Sequence, residues 1–183
     1  YRSIATAHYY SGSYPEALEF LHNAVKLLEG SRLHDDQVAN LDFLGEVYFT
    51  IEDYDNAGIY WQKAIESWQA AHNDEDNADL LFKKGRVLLL QESYQDARTA
   101  FLRAVELKDA AGEFLDGDWY WHIGESSEKL EQYEQAEQYY NLAIENSPFS
   151  RSQFVIAKSQ LGLGRINENQ GRLNQARSYF QGA

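Results

Sequence analysis

The sequence predicts an all-α fold, a solenoid of about five antiparallel helix pairs. A large residue followed three positions later by alanine recurs five times, and the five alanines are 40, 40, 39 and 40 residues apart. The apolar positions around each copy follow the i, i+4, i+7 rhythm of a helix face. No useful stretch alternates with the period of two that is typical of strands. These observations indicate helical units that repeat along the chain and stack on their neighbours.

Four columns of residues can be aligned across the five copies of the repeat. The first alanine column follows the large residue, which is tyrosine in four copies, and contains Ala17, Ala57, Ala97, Ala136 and Ala176. Nine residues before that large residue, a small-residue column contains Ala5, Gly45, Gly85, Gly124 and Gly164. Four residues after the alanine, a bulky column contains Leu21, Trp61, Phe101, Tyr140 and Phe180. Three residues further on, alanine recurs as Ala24, Ala64, Ala104, Ala143 and Ala183.

The columns assign each repeat two helices that differ in role. The first helix carries the small column, and residues such as Leu41, Leu44 and Tyr48 lie on one of its faces. A short polar turn, residues 51–53 in the second copy, leads into the second helix, which carries both alanine columns. The small residues let the two backbones approach, and the bulky column fills the remaining space. Since neither helix can bury its face alone, neighbouring pairs must pack together.

Residues typical of helix ends support these assignments. Pro15 is expected in the first turn of a second helix, where its missing N–H is harmless. Pro148 is expected between a second helix and the next first helix. N-cap residues are predicted at Asn73-Asp74, Asp116 and Ser147.

The domain organisation that follows is a single array over residues 1–183. The predicted repeats are approximately 1–36, 37–76, 77–115, 116–155 and 156–183, with the first and last incomplete. Glycine is spread through the repeats, so no linker or second domain is expected. Both ends pass through a repeat, and the chain contains no methionine, even at position 1. We therefore expect a chain cut from a longer array, or ends that meet another domain or subunit.

The small, Tyr, Ala, bulky and Ala columns resemble the tetratricopeptide repeat (TPR) over nearly the whole chain. The resemblance implies a right-handed superhelical solenoid whose first helices line a concave, protein-binding groove. The period of about 40 residues exceeds the usual 34. Longer repeats of this kind resemble kinesin light chain, Leu-Gly-Asn-type cell-polarity scaffolds, bacterial peptide-pheromone receptors and maltose-regulator-type proteins. Lys84, Ser127 and Asn167 depart from the usual apolar or aromatic residues of the first helix.

Composition narrows the partners that this chain is expected to bind. With 16 Lys and Arg against 29 Asp and Glu, the formal net charge is −13, which disfavours contact with phosphate backbones and anionic lipids. No apolar run approaches the length needed to span a bilayer, and no signal peptide is present. We expect no nucleic-acid binding and no membrane insertion. Because cysteine is absent, the sequence excludes disulfides but assigns no compartment.

The search for catalytic or metal-binding patterns predicts no enzyme, no cofactor and no metal site. The five histidines include no pair three or four residues apart, as a helical zinc site requires. The acidic stretch 74–79 lacks the glycine of a calcium loop and is interpreted as a carboxylate-rich helix N-terminus. Gly162 and Gly164 match only part of a dinucleotide-binding fingerprint, and Gly164 already belongs to the small column.

The resemblance places a partner on the inward stripe of the first helices. The predicted contact residues are Phe43, Glu46, Phe82, Lys83, Arg86, Trp121, His122, Glu125 and Arg165. Two interpretations stay open for them. The aromatic side chains and Arg86 serve binding, as such residues often do at interfaces. Alternatively, the rings are buried against neighbouring helices, and Arg86 bridges Glu46 and Glu125.

These patterns predict a protein-interaction scaffold that binds a peptide or protein segment in its groove. Asp42 and Glu46 occupy positions at which related chaperone co-factors carry Lys and Asn, so no clamp for a C-terminal carboxylate is expected. A segment with apolar anchors and charges of both signs fits better. Two alternatives remain: a structural solenoid that self-associates through uncapped ends, and the sensor part of a larger signalling or transcription regulator.

Overall fold

A computed structural model describes residues 1–31, 33–73, 75–147 and 153–183. These residues form ten α-helices and no strand. The helices are α1 (Arg2–Tyr10), α2 (Tyr14–Leu28), α3 (His34–Thr50), α4 (Tyr54–Ala71), α5 (Ala78–Leu90), α6 (Tyr94–Ala110), α7 (Gly117–Lys129), α8 (Tyr133–Glu145), α9 (Gln153–Asn169) and α10 (Leu173–Gly182). The all-α fold class is therefore confirmed.

The chain divides into two compact units, Tyr1–Gln91 and Glu92–Ala183, and each is described by itself. Unit 1 holds α1 to α5, and unit 2 holds α6 to α10. The predicted boundaries at 36/37 and 155/156 fall inside α3 and α9, three residues after each helix begins, and the single array over residues 1–183 stays a prediction.

Helix ends follow the expected chemistry at most positions. Pro15 lies in the first turn of α2, and the Asp116 side chain caps α7 by accepting from the Asp118 N–H at 3.0 Å. The prediction for Asn73 is wrong: α5 starts later, and the Asn77 side chain caps it by accepting from the N–H of Leu80 at 3.1 Å. Its neighbour Asp74 lies outside the described residues. The prediction for Ser147 stays open, because Pro148 and the residues up to 152 also lie outside them.

Turns after the first helices share one backbone conformation. A residue with positive φ occurs at Gly12, Glu52, Glu92, Glu131 and Gly171, at the same spacing as the alanine column. In the second copy, the next N–H, that of Asp53, donates to the carbonyl of Tyr48 at 2.9 Å. This left-handed C-cap costs little with glycine and about 1 kcal/mol with other residues. The positive-φ residue thus recurs with the same period as the sequence repeat. The polar composition of the turns alone did not predict this backbone conformation.

The core of unit 1 lies where the bulky column meets the small column. Trp61 of α4 is fully buried, and its indole ring lies where a Cβ at Gly45 of α3 would stand, 2.5 Å from Nε1. Leu41 and Leu80 pack in the same cluster. Glycine is therefore required at this crossing, since any side chain would overlap the indole.

The core of unit 2 has the same construction around Tyr140 of α8. This fully buried ring lies on Gly124 of α7 and on Gly162 of α9, where added Cβ atoms would stand 2.8 and 2.4 Å from it. Leu163 and Ile166 complete the cluster. Gly162 is thus a packing residue, although no column of the repeat identified it.

Candidate functional site

The first helices of unit 1 line an open pocket of about 350 Å³ on the surface. α1, α3 and α5 all contribute to it, and its lining residues are Arg2, Thr6, Tyr10, Ala39, Asp42, Phe43, Glu46 and Lys83. Three predicted contact residues, Phe43, Glu46 and Lys83, therefore line one depression. Apolar, hydroxyl and charged groups of both signs are all present in it.

Asp42 connects this pocket to the core of unit 1. Its carboxylate accepts a hydrogen bond from the Trp61 indole N–H at 2.9 Å and pairs with the Lys83 ammonium at 2.7 Å. Glu46 lies further from the same ammonium, at 4.0 Å. Because Asp42 accepts from both of these donors, it holds Lys83 in place across α3 and α5. Glu46 is left as the more available carboxylate of the pocket.

Aromatic side chains on this face are held by contacts within unit 1. Phe43 is half-buried against the cluster of Ala5, Leu21 and Leu44, and its ring meets that of Tyr9 edge-on, with centroids 5.4 Å apart. The Arg86 guanidinium lies 4.3 Å from the centroid of the Phe49 ring, a cation–π arrangement. Within the described part of unit 1, no ion pair joins Arg86 to Glu46. The expected pair between Arg86 and Glu46, one of the two that the bridging interpretation requires, is therefore not observed.

Two of the predicted contact residues are buried. Phe82 is 9% exposed and His122 is 8% exposed, and the His122 Nδ1 donates to the carbonyl of Asp118 at 2.8 Å. The alternative interpretation, in which groove aromatic residues pack into the interior, therefore describes Phe82. A partner would reach neither side chain without rearrangement of the helices around it.

The first helices of unit 2 carry the remaining predicted contacts, Trp121, Glu125 and Arg165. Arg165 pairs with both carboxylate oxygens of Glu128, at 2.6 and 2.7 Å. The Tyr140 hydroxyl donates to the same carboxylate at 2.6 Å, and burial raises the pKa of Tyr140 far above its ordinary value. Arg165 is therefore engaged by the protein itself, through a network that links α7, α8 and α9.

Glu125 differs from its neighbour Glu128. It is partly buried on α7, and among the described residues it has no hydrogen-bond or ion-pair partner. Burial raises the pKa of Glu125, although Lys158, Lys129 and Arg165 oppose this shift and Glu128 adds to it. A carboxylate that is desolvated without a partner is unfavourable for stability and is a common feature of binding sites.

Glu125→Gln is expected to raise the free energy of unfolding at pH 7. The folded-state pKa of Glu125 lies above its ordinary value of 4.5, so the folded protein binds more protons than the unfolded chain between those two values. The cost of burying the charge is therefore present at neutral pH and disappears as the pH falls through the raised pKa. Urea unfolding at pH 7 and pH 4.5 should show a gain at the first pH that shrinks at the second.

The matched control for this prediction is Glu128→Gln, one turn away on α7. It weakens the pair with Arg165 and the acceptor of Tyr140 and is expected to destabilise the protein. If Glu125→Gln destabilised the protein at pH 7 in the same way, Glu125 would have a partner in solution and the desolvation argument would be wrong.

Several groove residues were not among those that the sequence singled out as contacts. Ala39 lies one helical turn before Phe43 on α3, and Phe154 lies one turn before Lys158 on α9. Extension of the predicted inward stripes by one turn would have included both. No sequence pattern indicated Arg2, because its place in the pocket depends on the packing of α1 against α3.

Two further properties bear on the kind of site. In the described ranges, no helix is long and apolar enough to cross a membrane. No group of three or more His, Asp or Glu side chains in the same ranges is arranged to hold a metal ion.

An array of helix pairs with a mixed polar and apolar face defines a helical-repeat scaffold for protein interactions. Family models described as tetratricopeptide repeat match residues 37–110 and 119–149, together more than half of the chain. The chain belongs to the tetratricopeptide repeat family, as its columns predicted. Proteins of this kind bind proteins or peptides and are typically not enzymes. None of the curated proteins compared with the chain matches it significantly in sequence.

Solved structures with the same fold include MamA from Desulfovibrio magneticus RS-1, with a TM-score of 0.77 and 22% identity over 98% of this chain and 89% of that one. BtubC from P. vanneervenii has a TM-score of 0.80 and 13% identity, covering 97% of this chain and 74% of its own. The apo form of RapI has a TM-score of 0.83 and 18% identity, covering 98% of this chain and 66% of its own. At these identities the likeness shows the fold.

Proposed function

We propose that this scaffold binds an extended or helical segment of another protein on the faces formed by its first helices. The observation that carries the proposal is the pocket of about 350 Å³ between α1, α3 and α5. Its volume lies in the range of small binding pockets. Such a pocket suits one apolar side chain of a ligand, which would act as an anchor.

The chemistry of the pocket supports a ligand with charges beside its anchor. Ala39 and Phe43 provide apolar surface, Tyr10 is largely exposed, and Arg2 and Glu46 bring one charge of each sign. Aromatic side chains and arginine contribute strongly to binding at interfaces. A segment with an apolar residue flanked by an acidic and a basic residue would satisfy all of these groups.

Two classes of ligand are disfavoured by the same residues. A clamp for a C-terminal carboxylate needs several free donors, whereas Asp42 and Glu46 are acceptors, Lys83 is paired with Asp42, and Arg2 lies 3.9 Å from the carboxylate of Asp36. Nucleic acid is disfavoured by the net charge of −13. We extend the proposal to the absence of a catalytic role, supported by the typically non-enzymatic character of the family. Self-association and a role as the sensor part of a larger regulator stay predictions.

Ala39→Trp is expected to weaken ligand binding at least about tenfold, because the indole would fill the pocket. Ala39 is partly exposed, so the fold should tolerate the change. Peptides selected from a random displayed library on the wild-type protein would be synthesised and titrated by calorimetry. The matched control is Ala70→Trp, the same change in a different groove, which is lined by α2, α3 and α4.

The selected peptides should bind Ala70→Trp as they bind the wild-type protein. Peptides that bind Ala39→Trp equally well would place the binding site elsewhere. A selection that yields no specific peptide would count against a peptide-binding groove altogether.

A further inference from the structure

In unit 2, a lysine ammonium lies between two aromatic rings. The Nζ atom of Lys158 is 3.9 Å from the centroid of the Trp121 ring and 4.3 Å from that of Phe154. Trp121 belongs to α7, while Phe154 and Lys158 lie one turn apart on α9. Two rings around one cation form a strong cation–π arrangement, the kind that proteins use to recognise organic ammonium groups.

The packing of the fold does not account for both rings. Phe154 is 68% exposed, so its ring adds little to the core, whereas Trp121 is half-buried at the edge of the cluster around Tyr140. The side chain of Lys158 lies against the Phe154 ring, and lysine is flexible and strongly hydrated when released.

Glu125 adds a carboxylate to the face of α7 that carries Trp121. It lies one helical turn after Trp121, on the same face of α7, and it has no described hydrogen-bond or ion-pair partner. Its strongest electrostatic attraction is to Lys158. Two rings and one unpaired carboxylate are together complementary to an ammonium or guanidinium group, through cation–π attraction and charge.

We propose that Trp121, Phe154 and Glu125 form a binding site for an organic cation, and that Lys158 occupies it in the free protein. When a partner binds, the side chain of a lysine or arginine from the partner replaces Lys158. This second step rests on the proposed function, whereas the site itself does not. Lys158 thereby lowers the affinity for small cations until a partner supplies both a cation and further contacts.

The test uses tetramethylammonium chloride as the probe, with sodium chloride at equal ionic strength as its ionic control. Binding is followed by the NMR signal of the Trp121 indole N–H, which is assigned by its loss in Trp121→Phe. Lys158→Ala is expected to bind the probe about twofold to thirtyfold more tightly than the wild-type protein, as displacement of one cation–π contact predicts. Lys158→Gln provides a second variant that keeps most of the side-chain length.

Three variants separate a cation site from a nonspecific effect. In the Lys158→Ala background, Phe154→Ala should abolish saturable binding, and its high exposure makes it compatible with folding. In the same background, Glu125→Gln should weaken binding without abolishing it. The matched control is Lys63→Ala in unit 1, which removes an ammonium 5.1 Å from the single ring of Tyr60 and should leave binding unchanged.

Each remaining outcome overturns the proposal. No saturable shift in either Lys158 variant would show that the rings form no cation site. Equal affinity in the wild-type protein and in Lys158→Ala would show that Lys158 does not compete for it. Because the probe needs no peptide, failure of this site would be distinct from failure of the groove, which is judged by Ala39→Trp in unit 1.

Discussion

Replacement of Trp61 by alanine is expected to lower the free energy of unfolding by about 3–5 kcal/mol, in the upper range for single substitutions. Trp61 is fully buried, and its indole covers Gly45, so its removal leaves a cavity that the helices cannot close without moving. The change also removes the N–H that donates to Asp42 at 2.9 Å. The lost apolar contacts and the cavity account for most of the effect, since one hydrogen bond contributes only about 1 kcal/mol.

Urea unfolding followed by circular dichroism at 222 nm measures this loss, and two other variants define its origin. Trp61→Phe keeps a ring over Gly45 but loses the indole donor, so its cost should fall well below that of alanine. Ile59→Ala changes a half-exposed residue of the same helix and should stay within about 1 kcal/mol of the wild-type protein. If Trp61→Ala cost no more than Ile59→Ala, the assigned core of unit 1 would be wrong.

Replacement of Gly162 by alanine should also destabilise the protein, although alanine is the better helix former. The added Cβ would stand 2.4 Å from Cε2 and 2.5 Å from Cζ of Tyr140. That ring cannot yield, because Gly124 lies against it from α7 and Glu128 holds its hydroxyl at 2.6 Å. Overpacking of about 2–3 kcal/mol should exceed the helix-propensity gain of about 1 kcal/mol, for a net loss of about 1–2 kcal/mol.

The matched control is Gly58→Ala in α4. There the nearest atom to the added Cβ is a single methyl group, Cγ1 of Val87, at 3.3 Å, so the net change should remain within about 1 kcal/mol. Gly162→Ala should cost less in a Tyr140→Leu background than in the wild-type protein, because a smaller side chain leaves room for the Cβ. Additive effects of these two substitutions would contradict the contact.

Much of the fold was predictable because its determinants are local or repeated. Gly45 and Trp61 are 16 residues apart, as are Gly124 and Tyr140, and the repeat displays this spacing directly. Helix periodicity assigns a residue such as Leu44 to a buried face, and Asp116 is recognisable as a cap from its neighbours alone. The wrong cap at Asn73 shows the limit of such local signals, since Asn77 offers the same chemistry four residues later.

For the candidate site, the sequence predicted only which face of the first helices carries it. Helix periodicity placed Phe43 and Glu46 on the inward stripe of one first helix and Lys83 on that of the next, and the structure brings them to one pocket. Periodicity does not indicate how deeply a side chain on that face is buried, so it did not separate Phe82, which is buried, from Phe43, which is half-buried. It also did not indicate which charges are already paired within the chain.

The sequence by itself thus determined the helical repeat, its period, the pairing of glycine with a bulky residue and the family. Only the tertiary structure decided that Asp42 joins Lys83 to Trp61, that Gly162 lies on Tyr140, and that Lys158 lies between Trp121 and Phe154. The physical reason is the separation, along the sequence, of the residues that interact. Helix formation and capping depend on residues a few positions apart, whereas the contacts of Asp42, Gly162 and Trp121 join different helices and depend on how closely their backbones approach.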